Sequence, residues 1–380
     1  MTALTVAAFL PLVAWLYLLL GRGMFWRTRE RDDVDETPKL VRWPSVTAIV
    51  PARNEADVIA RSIGSLLAQD YPGAFRVVVV DDQSEDGTGE ISRAFDNSGK
   101  LDAISGTSRP PGWMGKLWAM TQGAAHAADS DAHDYLWFTD ADIEHAPDNL
   151  RRLVARAERR NLVLASLIAK LSCATPAERF FIPAFVYFFQ MLYPFNWVND
   201  PQDRTAAAAG GCMLVHRAAL ERAGGLAAIR NALIDDCALA RLMKRHGPIW
   251  LGLTNSAVSA RPYAGMNAIR RMVARSAYAQ LNYSPLQLAG TLAGLLVIFV
   301  APVVLALVGT GVVRLAGMAA WLIMAVSFLP MLRFYNRSPL WSVALPMIGL
   351  FYAAFTLDSA VQHWRGRGGM WKGRAQAMAR

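Results

Sequence analysis

Cysteine is scarce in this chain of 380 residues: Cys173, Cys212 and Cys237 are the only three. They form no close pair and one must stay unpaired, which excludes a disulfide-stapled secreted module. With no C-x-x-C and no His/Cys cluster, structural zinc lacks a ligand set as well. Charge is sparse too, at 18% of residues against 54% hydrophobic, and that balance excludes intrinsic disorder. A Gly-rich phosphate cradle is missing: there is no GxxxxGK[ST], and no GxGxxG opens a helix after a strand. No G-x-S-x-G elbow supports Ser/His/Asp chemistry, and the six histidines are scattered. Nucleic acid is not among the expected partners.

What is present begins with apolar runs. Thr2–Gly21 has no charge and is long enough to cross a hydrocarbon core of roughly 30 Å. Its basic residues follow it (Arg22, Arg27, Arg29, Arg31), the arrangement of a retained anchor with the next segment in the cytoplasm. Three more runs close the chain at Leu286–Val308, Val312–Leu332 and Leu340–Leu357, the first two reading as a helical hairpin around Gly309–Gly311. Four full crossings would leave the C-terminus outside, yet the tail carries Arg365, Arg367, Lys372 and Arg374 and should stay inside. Either the last run is interfacial or re-entrant, or the first does not cross. An aromatic segment at 180–198, free of charge and holding two prolines, reads equally as an interfacial helix or an ordinary buried one.

The expected layout is an N-terminal transmembrane anchor at 1–21, a basic and acidic linker at 22–44, and one domain at 45–280. Transmembrane or re-entrant helices follow at 286–361, then a basic tail at 362–380. Within the domain, apolar segments at Val46–Val50, Arg76–Val80, Tyr135–Thr139 and Leu162–Ala165 read as buried strands. Helical stretches such as Asp57–Gln69 and Gly115–Ala128 alternate with them. That pattern predicts an α/β fold, mostly parallel, with helices on both faces of the sheet and ligands beyond the strands' carboxyl ends.

Three strand ends are acidic. After the first comes PARNEADVI, with Pro51, Asn54 and Glu55; after the second DDQSEDGT, with Asp81 and Asp82; later DAD, with Asp140 and Asp142. One such end is ordinarily a helix cap or a turn, but three together predict a shared site. An Asp-x-Asp spacing offers hard oxygen ligands through which Mg2+ or Mn2+ can hold a diphosphate, and Lys116 near a helix start adds a point charge. Asp81 and Asp82 suit the base and ribose of a nucleotide. Asp235 and Asp236, opening an amphipathic helix, offer a base for an incoming hydroxyl, although an N-terminal Asp also complements the helix dipole. Gly210 and Gly211 permit close backbone approach on the acceptor side. Arg271 and Arg275, spaced i, i+4, suit either a diphosphate or anionic lipid head groups.

These motifs (VTAIVPARNEADVI, VVVVDDQSEDGT, GWMGKLWAMTQG, FTDADI, GGCMLVHRAALERAGG, IDDCALA) run in the order seen in family 2 glycosyltransferases, which residues 45–280 therefore resemble. With its anchor, apolar C-terminal cluster and WKGR tail, the chain looks most like the hopene-associated membrane subgroup, and is similar to carotenoid-type membrane glycosyltransferases. The resemblance implies a GT-A fold, a UDP-sugar donor, a divalent cation and inversion by single displacement. It gives Glu55 and Asp82 to the nucleotide, Lys116 to the donor, Asp140 and Asp142 to the metal with Asp142 the direct ligand, Asp236 to the base and Gly210-Gly211 to the acceptor side. Processive synthases carry Q/R-x-x-R-W; here Arg271 and Arg275 stand one residue further apart and no tryptophan follows, which favours transfer to a lipid over polymer synthesis. The leading expectation is a bacterial inner-membrane enzyme with its catalytic domain facing the cytoplasm. The alternatives are a polyprenyl-phosphate sugar synthase and a non-catalytic membrane protein that binds nucleotide sugar.

Overall fold

A computed structural model describes residues 8–33, 40–95, 99–130, 133–367, 370–371 and 374–375. Eight strands form one sheet: β1 (Val46–Ala52), β2 (Phe75–Asp81), β3 (Leu101–Ser105), β4 (Tyr135–Phe138), β5 (Ile143–His145), β6 (Leu164–Lys170), β7 (Met213–His216) and β8 (Ile249–Ser259). Their order is β3-β2-β1-β4-β7-β6-β8-β5. The half built from β3, β2, β1 and β4 is parallel, β7 and β5 run against their neighbours, and β6 pairs with β8 in parallel. All seven residues of β1 are buried, as expected of a central strand covered on both faces.

Helices supply those covers. On one face α1 (Ile59–Leu67) and α2 (Asn149–Arg159) place Ile59, Ile63, Leu66, Leu150, Leu153 and Val154 against Val46, Ala48 and Val50. On the other, α3 (Gly115–Ser130) lies so close to the sheet that a Cβ on Gly123 would stand 2.6 Å from Ile49 Cγ2. β7 and β8 escaped the coarse sequence reading. β7 has only four residues, and in β8 apolar positions are interrupted by Gly252, Thr254 and Asn255.

The curl of the sheet positions the site. Only residues 139–142 separate β4 from β5, yet β5 pairs with β8 at the sheet's edge, with β7, β6 and β8 standing between it and β4 in the order. The sheet must bend back on itself, which carries the end of β8 to the segment that follows β4.

Among the described residues, three helices are long and apolar enough to cross a membrane: Pro285–Val308, Gly311–Phe334 and Pro339–Trp364. In the described part of the first apolar run, residues 8–21, the helix is Leu10–Leu20, about 16 Å long and too short to span by itself; residues 1–7 lie outside the described residues, as does Lys372 of the tail. Leu10–Leu20 packs on this bundle, with Trp15 Nε1 donating to Ile298 O at 2.7 Å. The last helix has both ends against elements outside the bundle. Trp341 meets Phe180 at its start, while Trp364 and His363 meet Tyr278 at its end.

The segment at 180–198 forms a helix, Pro176–Leu192, and then a short one, Phe195–Asn199. Its inner face is buried: Phe181, Ile182 and Tyr187 join one continuous core with Phe299, Phe328 and Tyr352 of the bundle. Of the two sequence readings, the buried helix describes that face. The stretch after residue 21 is no loose linker over its described part. Glu30, Arg31 and Asp32 run beside β8, with Leu253 N donating to Glu30 O (2.8 Å) and Thr254 Oγ1 to Asp32 Oδ2 (2.6 Å).

Candidate active site

The charged centre is built from four separate segments. Lys116, in the first turn of α3, places Nζ 2.6 Å from Asp140 Oδ1 and 3.5 Å from Asp235 Oδ2. Asp235 and Asp236 open the helix Asp235–Lys244. Asp236 accepts hydrogen bonds from Gly210 N (3.0 Å) and from Cys237 N (2.7 Å). A Cβ on Gly210 would stand 2.9 Å from Lys116 Nζ, 3.7 Å from Asp236 Oδ2 and 3.9 Å from Asp140 Oδ2. Gly210 therefore floors this cluster. Gly211 does not: a Cβ there would meet Ala169 and Ile143, and its carbonyl accepts from Thr139 Oγ1 at 2.9 Å.

Asp142 stands two residues on, beside β8. Its backbone carbonyl accepts from Ala260 N at 2.7 Å, and its Oδ2 lies 3.4 Å from Ser259 Oγ and 4.0 Å from Arg261 Nε. Arg261 also pairs with Glu55, and with Asp57 at 3.0 Å. Ser259, Arg261 and Tyr263 do not stand out in the sequence, because they are placed by the end of β8, a strand the apolar pattern does not reveal.

Burial opposes the charge of Lys116, but Asp140, Asp235 and Asp236 outweigh it and hold its ammonium above the usual lysine range. Burial first, then the field of Asp235, pushes the Asp236 carboxyl up to about 6 against the pull of Lys116. Asp142 is likewise raised by burial and by Asp140, with Arg261 opposing. Behind the cluster His145 is held neutral by burial, its pKa lowered to about 3, and its ring joins Thr139 Oγ1 (2.8 Å) and Asn149 Nδ2 (2.9 Å). That network props Thr139, the residue before Asp140.

At the first two strand ends the residues lock two loops together. Asn54, at φ 51°, donates from its backbone to Ser84 Oγ (3.0 Å) and accepts on Oδ1 from Glu85 N (3.0 Å). Glu55 N donates to Thr88 Oγ1 at 2.8 Å. Asp82 is buried with Arg53 Nη1 3.9 Å from Oδ2, and Pro51 lies within β1. Asp81 turns inward: Oδ1 accepts from Ser84 N at 3.1 Å, and Oδ2 crowds the position a Cβ on Gly89 would take. Its position matches turn chemistry better than contact with a nucleotide. Arg271 and Arg275 are exposed, and no hydrogen bond or ion pair among the described residues joins them to the cluster.

The donor set fits a divalent cation of the Mg2+ or Mn2+ kind. Among the described residues no group of three or more His, Cys, Asp and Glu gathers at metal-ligand geometry. Two carboxylates that repel each other are nevertheless what such a cation needs when phosphate oxygens and water complete its shell. Six carboxylates (Glu55, Asp57, Asp140, Asp142, Asp235, Asp236) face two cationic side chains, Lys116 and Arg261, so the site has an unmet demand for positive charge.

A curled mixed sheet with acidic loops at its carboxyl edge and a Lys–Asp cluster beneath them defines the GT-A class of glycosyltransferase fold. Residues 47–224 match the family described as Glycosyl transferase family 2, and over that segment the chain is similar to this family. Over 123 residues it is 37% identical to the succinoglycan biosynthesis protein ExoO of Rhizobium meliloti, covering 32% of each protein. It is 32% identical over 99 residues to the 4,4'-diaponeurosporenoate glycosyltransferase of Staphylococcus aureus, covering 26% of this chain and 24% of that one. The chain thus spans about a third or less of the curated relatives it matches. Its fold resembles that of the mannosyltransferase PcManGT from Pyrobaculum calidifontis, solved with GDP-Man and Mn2+: TM-score 0.54, 21% identity, covering 94% of this chain and 99% of that one.

The floor position offers a direct check. Gly210→Ala should leave the fold intact, since the crowded atom is the end of a flexible side chain, but should pull the ammonium off Asp140. The expected loss of transfer is on the order of 10- to 100-fold with an unchanged Tm. A variant with the wild-type rate would show that this ion pair does not matter.

Proposed function

We propose that the protein is a membrane-bound inverting glycosyltransferase that moves a sugar from a nucleoside diphosphate, UDP-sugars being the first donors to try, to the hydroxyl of a lipid. The observation that carries this reading is the meeting of Lys116, Asp140, Asp142 and Asp236 in a chain that also carries helices apolar enough for a bilayer. Asp140 and Asp142 would hold Mg2+ or Mn2+, which when bound neutralises charge on the departing diphosphate. Lys116 lies where it can share that role. Asp236, ionised above about pH 6, takes the proton of the acceptor hydroxyl as its oxygen attacks the anomeric carbon. The new C–O bond forms on the face opposite the leaving diphosphate, which departs with the electron pair of the broken bond. Asp235 then serves as a counter-charge to Lys116 rather than as the base.

The acceptor reading rests on the surroundings. Helix Pro176–Leu192 joins the bundle core on one side and is tied to the segment bearing Arg261 on the other, through Tyr263 N donating to Glu178 Oε1 at 2.7 Å. Arg22, just after the first apolar helix, donates to Met191 O and Leu192 O (both 3.1 Å) and lies over Trp197. That geometry suits a catalytic domain seated on the cytoplasmic face of a bacterial inner membrane. With both ends of Pro339–Trp364 against elements outside the bundle, the topology we favour leaves this last helix at the interface and the basic tail on the domain's side. A hopanoid or carotenoid-like acceptor is the specific form of the reading suggested by the sequence resemblance.

Purified full-length protein in nanodiscs, given lipid extract and a panel of UDP- and GDP-sugars with and without Mn2+, should release nucleoside diphosphate and form a glycolipid of inverted anomeric configuration. A product with retained configuration would refute single displacement. Tight nucleotide binding without turnover on any extract would replace the enzyme by a nucleotide-sugar-binding protein.

A further inference from the structure

We propose that Arg261 is a diphosphate-binding residue that stands in for the cation at Asp142 while the donor is absent; this rests on the glycosyltransferase reading above. Both side-chain hydrogen bonds of Arg261 run through Nη2, to Glu55 and Asp57, while Nε points toward Asp142 from 4.0 Å, beyond hydrogen-bond range. The guanidinium thus spans the loop assigned to the nucleotide and one of the two carboxylates assigned to the metal. Its backbone is held on both sides, by Ala260 N on Asp142 O and by Tyr263 N on Glu178. The side chain itself is about a third exposed.

A permanent tie would need no such exposure, and would leave no donor outside hydrogen-bond range. The electrostatics describe a handover instead. In the donor-free state Lys116 neutralises Asp140 and Arg261 partly neutralises Asp142, so each carboxylate of the Asp-x-Asp pair has its own organic cation. A divalent ion attracts Asp142 with twice the charge of a guanidinium at equal distance. It displaces Arg261 from that carboxylate, and the diphosphate that arrives with it supplies the planar oxygen pairs a guanidinium binds best. Arg261 therefore opposes the bare cation and favours the cation together with diphosphate.

The test reads two affinities with opposite expected signs. In Arg261→Gln, Mn2+ alone, followed by electron paramagnetic resonance, should bind several-fold more tightly than to the wild type. UDP or GDP with Mn2+, followed by calorimetry, should bind at least tenfold more weakly, and the matching monophosphates should show little of that loss. Arg261→Lys keeps the charge but not the fork, and should restore the wild-type Mn2+ affinity while recovering only part of the diphosphate affinity. Unchanged diphosphate binding in Arg261→Gln, or Mn2+ and diphosphate affinities that fall together with Tm, would make Arg261 a structural tie and overturn the proposal. If the wild-type protein binds neither Mn2+ nor any nucleoside diphosphate, the glycosyltransferase reading fails first, independently of Arg261.

Discussion

Asp236→Asn should lower kcat by about a thousandfold, within the 10²–10⁴ range typical of a lost general base, while the affinity for nucleoside diphosphate stays within a few-fold. The acceptor hydroxyl would keep its place but lose the group that takes its proton. In the wild type the rate should fall as pH drops below about 6, because burial and Asp235 raise the Asp236 carboxyl to that value and only its ionised form accepts. Stability should move the other way. A carboxyl raised from 3.8 to about 6 favours the fold in its protonated form; this contribution is complete below pH 3.8 and is lost as pH rises through 6. Asn, which never ionises, escapes that loss, so the variant's Tm should gain on the wild type between pH 4 and 7. A dead variant with a lower Tm at pH 7.5 would signify a damaged fold. Full turnover would point to an acceptor that needs no base, such as a polyprenyl phosphate.

Removing the cation's ligands should be nearly as costly. Asp140→Asn and Asp142→Asn should each reduce transfer by about a hundredfold or more, since Lewis-acid stabilisation of a leaving diphosphate is worth several kcal/mol and 1.4 kcal/mol is a factor of ten. Unlike Asp236→Asn, both should lose cation-dependent nucleotide binding, and raised Mn2+ should recover part of the rate. The two should also differ from each other. Asp140→Asn leaves Lys116 with Asp235 as its remaining close partner and should shift the geometry under the donor, whereas Asp142→Asn leaves that pair intact and is rescued further by the metal. Steady-state rates over a Mn2+ series separate these outcomes, and indifference to Mn2+ throughout would remove the cation from the mechanism.

Much of the site was legible because its residues follow strands. Asp140 and Asp142 stand directly after the YLWF of β4, and Lys116 sits in the first turn of a helix, features carried by local apolar runs and their breaks. Asp81 is ambiguous for an equally local reason: DDQSEDGT is both a strand end and a turn, and in the fold its carboxylate accepts from Ser84 N and crowds Gly89. Arg261 was invisible because nothing in SARPY announces a charge partner. Its meaning depends on Glu55 and Asp142, 206 residues and more than a hundred residues away along the chain.

The apolar segments, the alternation of strand and helix and the acidic strand ends are set by hydropathy and periodicity, which act over a few residues at a time, and the sequence alone determined them. The tertiary structure alone decided which carboxylate faces Lys116, where Arg261 lands and which elements the last helix packs against. Those depend on a sheet that curls until β5 meets β8, and that curl is a property of strand order and packing that no single segment encodes.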